Sequence, residues 1–187
     1  MALKRYTIDG YGQIELNQVA FRRDGRIEAQ CKLDTETDFG PEGTLEYAEN
    51  GMLFAVDNIA RKIKLATDGT YPIALNYTTE HMYDERANAL SDFKLAPGTF
   101  LPRLGYLAIG DKFTTNCVCY DTDEFANEDT LNTALDNLTT AVYGGISEIG
   151  AIKLSATAPT AGPVLRVIKK TTMPDGTFGL KFQVYKA

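Results

Sequence analysis

Polar and apolar side chains alternate from Gln13 to Val19 and again from Arg26 to Leu33, the period of two that marks a strand with one buried face. Arg23, Asp24 and Gly25 lie between the two runs. An Asp-Gly pair tolerates the positive φ angles of a tight turn, so the pattern predicts a β-hairpin. Residues 34–43 mix Thr, Asp, Glu, Gly and Pro with little apolar content and read as an exposed loop. The apolar run 51–56 enters through Asn50 and leaves through Asp57 and Asn58, which suits a buried strand between turns. A helix is its rival, because Leu53, Val56, Ala60 and Ile63 fall at helical spacing. The Asp57-Asn58 turn signal and the alternation along 62–65 favour two strands.

Further strands are predicted over 71–79, with Pro72 near the start where a missing N–H is tolerated, and over 104–109 and 112–120, which flank Gly110 and Asp111. Residues 84–91 have modest helical propensity before Pro97 and Gly98 break the chain. The clearest helical pattern lies between Asn127 and Tyr143, where Leu131, Ala134, Leu135, Leu138, Ala141 and Val142 recur at intervals of three and four. Glu128 and Asp129 occupy its first turn, and Gly144-Gly145 is expected to supply a left-handed stop. A strand over 149–155 and a loop of small residues over 156–162 follow. A closing hairpin joins 164–172 to 177–185 through Met173, Pro174, Asp175 and Gly176. The fold class is therefore mainly β: a small β-barrel or sandwich of short antiparallel strands and hairpins, with one peripheral helix near residues 127–143. Residues 1–187 form a single compact domain, with residues 1–5 as a possible N-terminal arm.

Composition narrows the function. The 187 residues carry 19 Lys and Arg against 25 Asp and Glu, a formal charge of −6. So acidic a chain lacks the clustered cations that nucleic acid requires. No apolar run reaches the length of a membrane helix, and the first residues lack the apolar stretch of a signal peptide, so no membrane partner and synthesis in the cytoplasm are expected. Three cysteines, Cys31, Cys117 and Cys119, are too few for a disulfide framework and read as reduced, buried thiols.

Candidate chemistry is sparse. The lone His81 has a carboxylate before it but no assigned nucleophile, so a hydrogen-bonded loop histidine is the simpler reading. Cys117 and Cys119 face one side of a strand, yet zinc would need two further ligands from Cys31 and His81. Asp34, Glu36 and Asp38, and likewise Asp121, Asp123 and Glu124, invite a calcium reading, but neither matches a twelve-residue calcium loop. Gly10-Tyr11-Gly12 lacks the third glycine of a dinucleotide fingerprint. No catalytic residue, metal site or cofactor is assigned, and a non-enzymatic protein is expected, although two of the 25 acids could still meet across a fold as an acid and base pair.

The stretches Glu49 to Asp57, Lys64 to Gly69 and Pro72 to Leu75 resemble tailed-phage head decoration or capsid cement proteins, in which an apolar strand ending in Val-Asp precedes a second strand and a Pro-led third. Leu101 to Asn116 and Thr172 to Val184 are similar to auxiliary virion proteins of phages of Gram-positive bacteria. The resemblance implies a non-enzymatic virion structural protein on the outer surface of a capsid. Its partners would be the major capsid protein or other virion proteins, and it would form a homo-oligomer, often a trimer. A tail or head-to-tail connector component shares the same features. From other classes, a small carboxylate-based hydrolase and a carbohydrate-binding module stay open, the ten Tyr offering stacking faces and the missing Trp counting against the latter.

Two places combine cations with apolar groups in this acidic chain: Leu3, Lys4, Arg5 and Tyr6 in the arm, and Phe21, Arg22 and Arg23 at the expected hairpin tip. Arg and Tyr are enriched in interfaces, which makes these the candidate partner contacts. The bland alternative is a frayed terminus and a solvated turn. If the arm is the contact, removing residues 1–5 weakens assembly without unfolding the domain.

Overall fold

The alternation and turn signals resolve into fourteen strands and one helix in the computed structural model, which describes residues 2–8, 10–21, 23–78, 95–98, 101–138 and 140–187. In chain order these are β1 (Leu3–Arg5), β2 (Ile14–Gln18), β3 (Ile27–Glu28), β4 (Lys32–Leu33), β5 (Leu53–Asp57), β6 (Lys62–Leu65), β7 (Ile73–Asn76), β8 (Leu104–Gly105), β9 (Lys112–Thr115), β10 (Val118–Asp121), α1 (Glu128–Asp136), β11 (Tyr143–Gly145), β12 (Ile152–Ser155), β13 (Val164–Thr172) and β14 (Phe178–Lys186). An eight-stranded sheet runs β1-β10-β12-β11-β13-β14-β9-β2, and a six-stranded sheet runs β3-β8-β7-β5-β6-β4. The fold is mainly β, as expected, with the two mixed sheets of a sandwich. It is not a closed barrel.

The large sheet nevertheless comes close to closing. β9 and β10 stand second from its opposite ends, yet only Asn116 and Cys117 separate them. A flat sheet would put these two strands about 24 Å apart, at about 4.8 Å per strand spacing. The three steps from Thr115 to Val118 span about 10 Å, so the sheet must curl until its ends meet. No ladder joins the edge strands β1 and β2. The predicted single strand over 112–120 is thus broken at residues 116 and 117. There the Thr115 hydroxyl accepts from the Cys117 N–H at 3.0 Å, and the Asn116 side-chain oxygen accepts from the Gln13 N–H at 2.6 Å. Side-chain bonds replace the ladder at the point where the strand changes partners.

The final hairpin forms as predicted. β13 and β14 pair antiparallel along their length, with Gly176 at φ 85° and the Asp175 carboxylate accepting from the Thr177 N–H at 3.0 Å. The first predicted hairpin does not form. The turn at residues 20–25 exists, with the Arg23 and Asp24 N–H groups donating to the Ala20 carbonyl. However, β2 pairs with β9 in the large sheet and β3 with β8 in the small one. The turn carries the chain from one layer to the other, and Phe21 fills the crossing, buried against Gly105 and 4.9 Å from Tyr77. The residues on either side of Gly110 and Asp111 divide in the same way, β8 to the small sheet and β9 to the large one.

The predicted helix is also shorter than its pattern. Asn127 caps it by accepting from the Thr130 N–H at 2.9 Å, Leu131 and Leu135 are buried, and it ends at Asn137. Tyr143, Gly144 and Gly145 are not its stop. They form β11, wedged between β12 and β13, where a side chain on Gly144 would strike Ile152 and Phe182. β10 and β12 are parallel, a pairing that needs a long crossover, and α1 with β11 lies within it. The expected helical turns at 84–91 and His81 lie outside the described residues.

β5 is buried along its whole length. Leu53 joins the core between the sheets, with Phe113, Phe182 and Leu75, while Phe54 and Val56 join a second apolar cluster with Phe39, Ala48, Ile63 and Leu104. The loop over 34–43 is therefore not simply exposed. Its one large apolar side chain, Phe39, is fully buried and meets the Phe54 ring edge-on at 5.4 Å. Phe39→Ala is expected to lower stability by about 3 kcal/mol, the scale of an emptied aromatic site, read as a lower urea midpoint at an unchanged slope. A change below about 0.5 kcal/mol would mean that the loop does not cover this cluster.

Candidate functional site

The densest group of polar side chains sits where the ends of the large sheet meet. Glu49 is its centre. The two terminal Arg5 guanidinium nitrogens, Nη1 and Nη2, donate to its carboxylate at 3.3 and 3.1 Å, and the Gly12 N–H adds a third bond at 2.5 Å. The Asn76 side chain donates to the Glu49 carbonyl at 2.8 Å, and Asn76 in turn accepts from Thr78 at 2.5 Å. The Thr115 hydroxyl donates to the Gln13 carbonyl at 2.5 Å, and the Gln13 amide reaches Asp175 on the final hairpin at 2.7 Å. Gly51 completes the seam at φ 84°, where a Cβ would collide with the Thr115 hydroxyl. Glu49, Asn76, Thr78, Gln13, Thr115 and Asn116 are all buried. These groups tie β1, β2, β7, β9 and β14 together, a bracing arrangement.

Of the described candidate contacts from the sequence, Arg5 falls in this brace and the others lie outside it. Leu3 and Arg5 are half-buried in β1, which pairs with β10, so residues 3–5 are an edge strand and not a loose arm. Tyr6 stacks on Phe178 with ring centroids 3.9 Å apart, and its hydroxyl donates to Asn132 at 3.1 Å. Phe21 is core. Lys4 and Arg23 are exposed, and Arg22 lies outside the described residues. The structure therefore gathers Arg5 with Glu49, and leaves Lys4 and Arg23 apart on the surface.

The acidic clusters are bound internally. Lys62 bridges Asp34 at 3.2 Å and Glu36 at 2.6 Å, and Asp38 accepts from the Leu65 N–H at 2.8 Å. Asp121 accepts from Lys153 at 3.1 Å, and Glu124 accepts from the Ser155 hydroxyl at the same distance. Among the described residues no group of three or more His, Cys, Asp or Glu side chains could hold a metal ion. All three thiols are free and buried. Burial pushes Cys117 up to about 12 and Cys119 and Cys31 up to about 11, far from the thiolate that nucleophilic chemistry needs.

Sequence reasoning did not single out the exposed apolar side chains. Ile59 is 99% exposed at the β5–β6 turn and Ile109 is 73% exposed at the turn before β9. The signal was an isoleucine inside an otherwise polar turn. Tyr71 and Tyr185 are partly exposed, but Lys64 lies 5.2 Å from one ring centre and Arg166 lies 5.6 Å from the other. No protein-family model, curated protein or solved structure matches the chain.

Two outcomes follow from this geometry. Removing Glu49 leaves the partly buried Arg5 guanidinium uncompensated and the Gly12 N–H without its acceptor. Glu49→Ala is therefore expected to cost about 2–4 kcal/mol, and deletion of residues 1–5 to destabilise the domain by a similar amount, contrary to the behaviour of a loose arm. Chemical denaturation checks both, and stability equal to the full chain would show that the seam is not a brace. The second concerns acid. Backbone N–H groups, of Ala60 above all, hold the Asp57 carboxyl below its usual range, that of Asp123 does so for Asp121, and the Gln13 amide does so for Asp175. A carboxyl lowered in the folded state contributes stability that is complete above its unfolded value of about 3.9 and is lost as pH falls through its folded value. The melting temperature should hold between about pH 7 and pH 5 and fall below about pH 4, less steeply in Asp121→Asn. A profile flat to about pH 2 would contradict this.

Proposed function

We propose that the chain is a non-enzymatic structural protein of a tailed-phage particle, bound to the outer surface of the capsid. The observation that carries the reading is how its ionisable side chains are used. Glu49, Asp34, Glu36, Asp121 and Glu124 each accept from a named internal donor, and the thiols are buried. That is the economy of a scaffold whose output is contact area, and it accords with the resemblance of the β5 to β7 region and the final hairpin to decoration and auxiliary virion proteins. The cations over Tyr71 and Tyr185 occupy ring faces that a sugar would stack on, which weighs against a glycan-binding module.

Sedimentation of the purified protein with capsids lacking it tests the proposal. Saturable co-sedimentation with those capsids is expected. Binding to isolated tails or connectors, with none to capsids, would replace the capsid assignment with the tail one. Turnover of a cell-wall polymer with two carboxylate-like limbs in its pH profile would overturn the structural reading altogether.

A further inference from the structure

Strands β9, β13 and β14 are neighbours in the large sheet, and together they carry six Lys and Arg with no Asp or Glu. In the chain as a whole the acids outnumber the cations. Lys170 is taken up by Asp136 of α1 at 2.8 Å, and Lys186 ends β14. The other four share one face. Val167, Phe182 and Phe113 lie in register across the three strands and belong to the core between the sheets. Successive side chains alternate between faces, so the adjoining row, Arg166, Gln183 and Lys112, points away from the core. Lys181 lies two residues from Gln183 on that same outer face, and Lys169 stands directly opposite it.

Like charges directly opposite in a ladder work against folding. Nothing nearby offsets them, for Lys112, Lys169 and Lys181 make no salt bridge among the described residues. Within β2, β9, β13 and β14 the one carboxylate is Glu15, on the edge strand beyond Thr114. A repulsive row kept without compensation gives up some stability, the usual cost of a surface shaped for a contact. The other half of the same sheet is finished differently: Cys119 on β10 is buried in the second apolar cluster with Phe39 and Ala48. The outward side chains of β13 and β14 join neither cluster, and Ile168 and Tyr185 are partly exposed among the cations.

We infer that the outer face of β9, β13 and β14 is the docking surface of the protein, and that it meets a flat protein face rich in Asp and Glu. The inference rests on the capsid reading above and says which side of the molecule turns toward the shell. Complementary charge steers two such faces together and fixes their register, while Arg166, Tyr185 and Ile168 supply contact area of the kind interfaces favour. Nucleic acid fits the face less well. The Tyr185 ring is covered by Arg166 at 5.6 Å, which leaves it no open side to stack a base. A long polyanion would also run past the patch and over a chain of net charge −6.

Co-sedimentation with capsids lacking the protein, titrated at low and high salt, tests it. Binding of the parent is expected to weaken as salt rises. Lys169→Glu and Lys181→Glu should each weaken it by about tenfold or more. Each also sets unlike charges opposite one another in the β13–β14 ladder, so the melting temperature should equal or exceed that of the parent. Lost binding at undiminished stability is what a merely structural role would not give. Lys32→Glu makes the same charge change on β4, the exposed edge of the small sheet, and should bind as the parent does. Reversals at Lys169 and Lys181 that bind like the parent, or an equal loss in Lys32→Glu, would overturn the docking face and leave the capsid reading standing. A parent that ignores capsids would remove both. Self-association of the parent, abolished by Lys169→Glu in the absence of capsids, would put a second copy on this face. Binding of duplex DNA lost in the same variants would put nucleic acid there. Either result would overturn the acidic protein partner.

Discussion

The partly buried ion pair between Arg5 and Glu49 sits where the two sheets meet. The large sheet curls through its whole width, and its ends are joined by two residues of backbone and a patch of side chains. Hydrogen bonds between strands cannot seal that gap, because β1 and β2 do not pair. Glu49 reaches the guanidinium on one side and the Gly12 amide on the other, and its own carbonyl receives Asn76 from the small sheet. One carboxylate therefore fixes the curvature of one sheet and the docking of the second.

Local signals were legible wherever the partner was also local. The Pro-Asp-Gly turn and its flanking alternation describe β13 and β14 well, because the two strands pair with each other. The Asp-Gly turn at Gly25 carries the same kind of signal and leads to a different outcome, since β2 and β3 find partners about 100 and 80 residues further on, at Thr114 and Gly105. Turn chemistry specifies a reversal of the backbone and not the layer that the chain enters next. The helix was over-read for a related reason: Val142 keeps the apolar period because it faces the same core, but in β11's approach it does so from an extended chain.

The candidate site was harder to see because its meaning lies in pairings across the chain. Nothing next to Asp34 and Glu36 in sequence announces that Lys62 will stand between them, and nothing near Arg5 announces Glu49. The aromatic Phe21 looked like a contact residue because cations follow it, yet burial depends on Gly105, which leaves the space its ring fills. Conversely, Ile59 looked like part of a turn, and only its complete exposure gives it interest.

The strand order also governs when the domain can form. β1 and β2 precede their partners in the chain by more than 90 residues: β1 waits for Asp121 and its neighbours, and β2 waits for β9, which is itself flanked by β14. Neither edge can be laid down until residues 112–121 have been synthesised. Folding of this topology is dominated by distant pairings, which are slow to close. In the interval the Ile14 and Leu16 face of β2 lies uncovered, and an unpaired strand with an apolar face is the part of an incomplete chain most prone to aggregate.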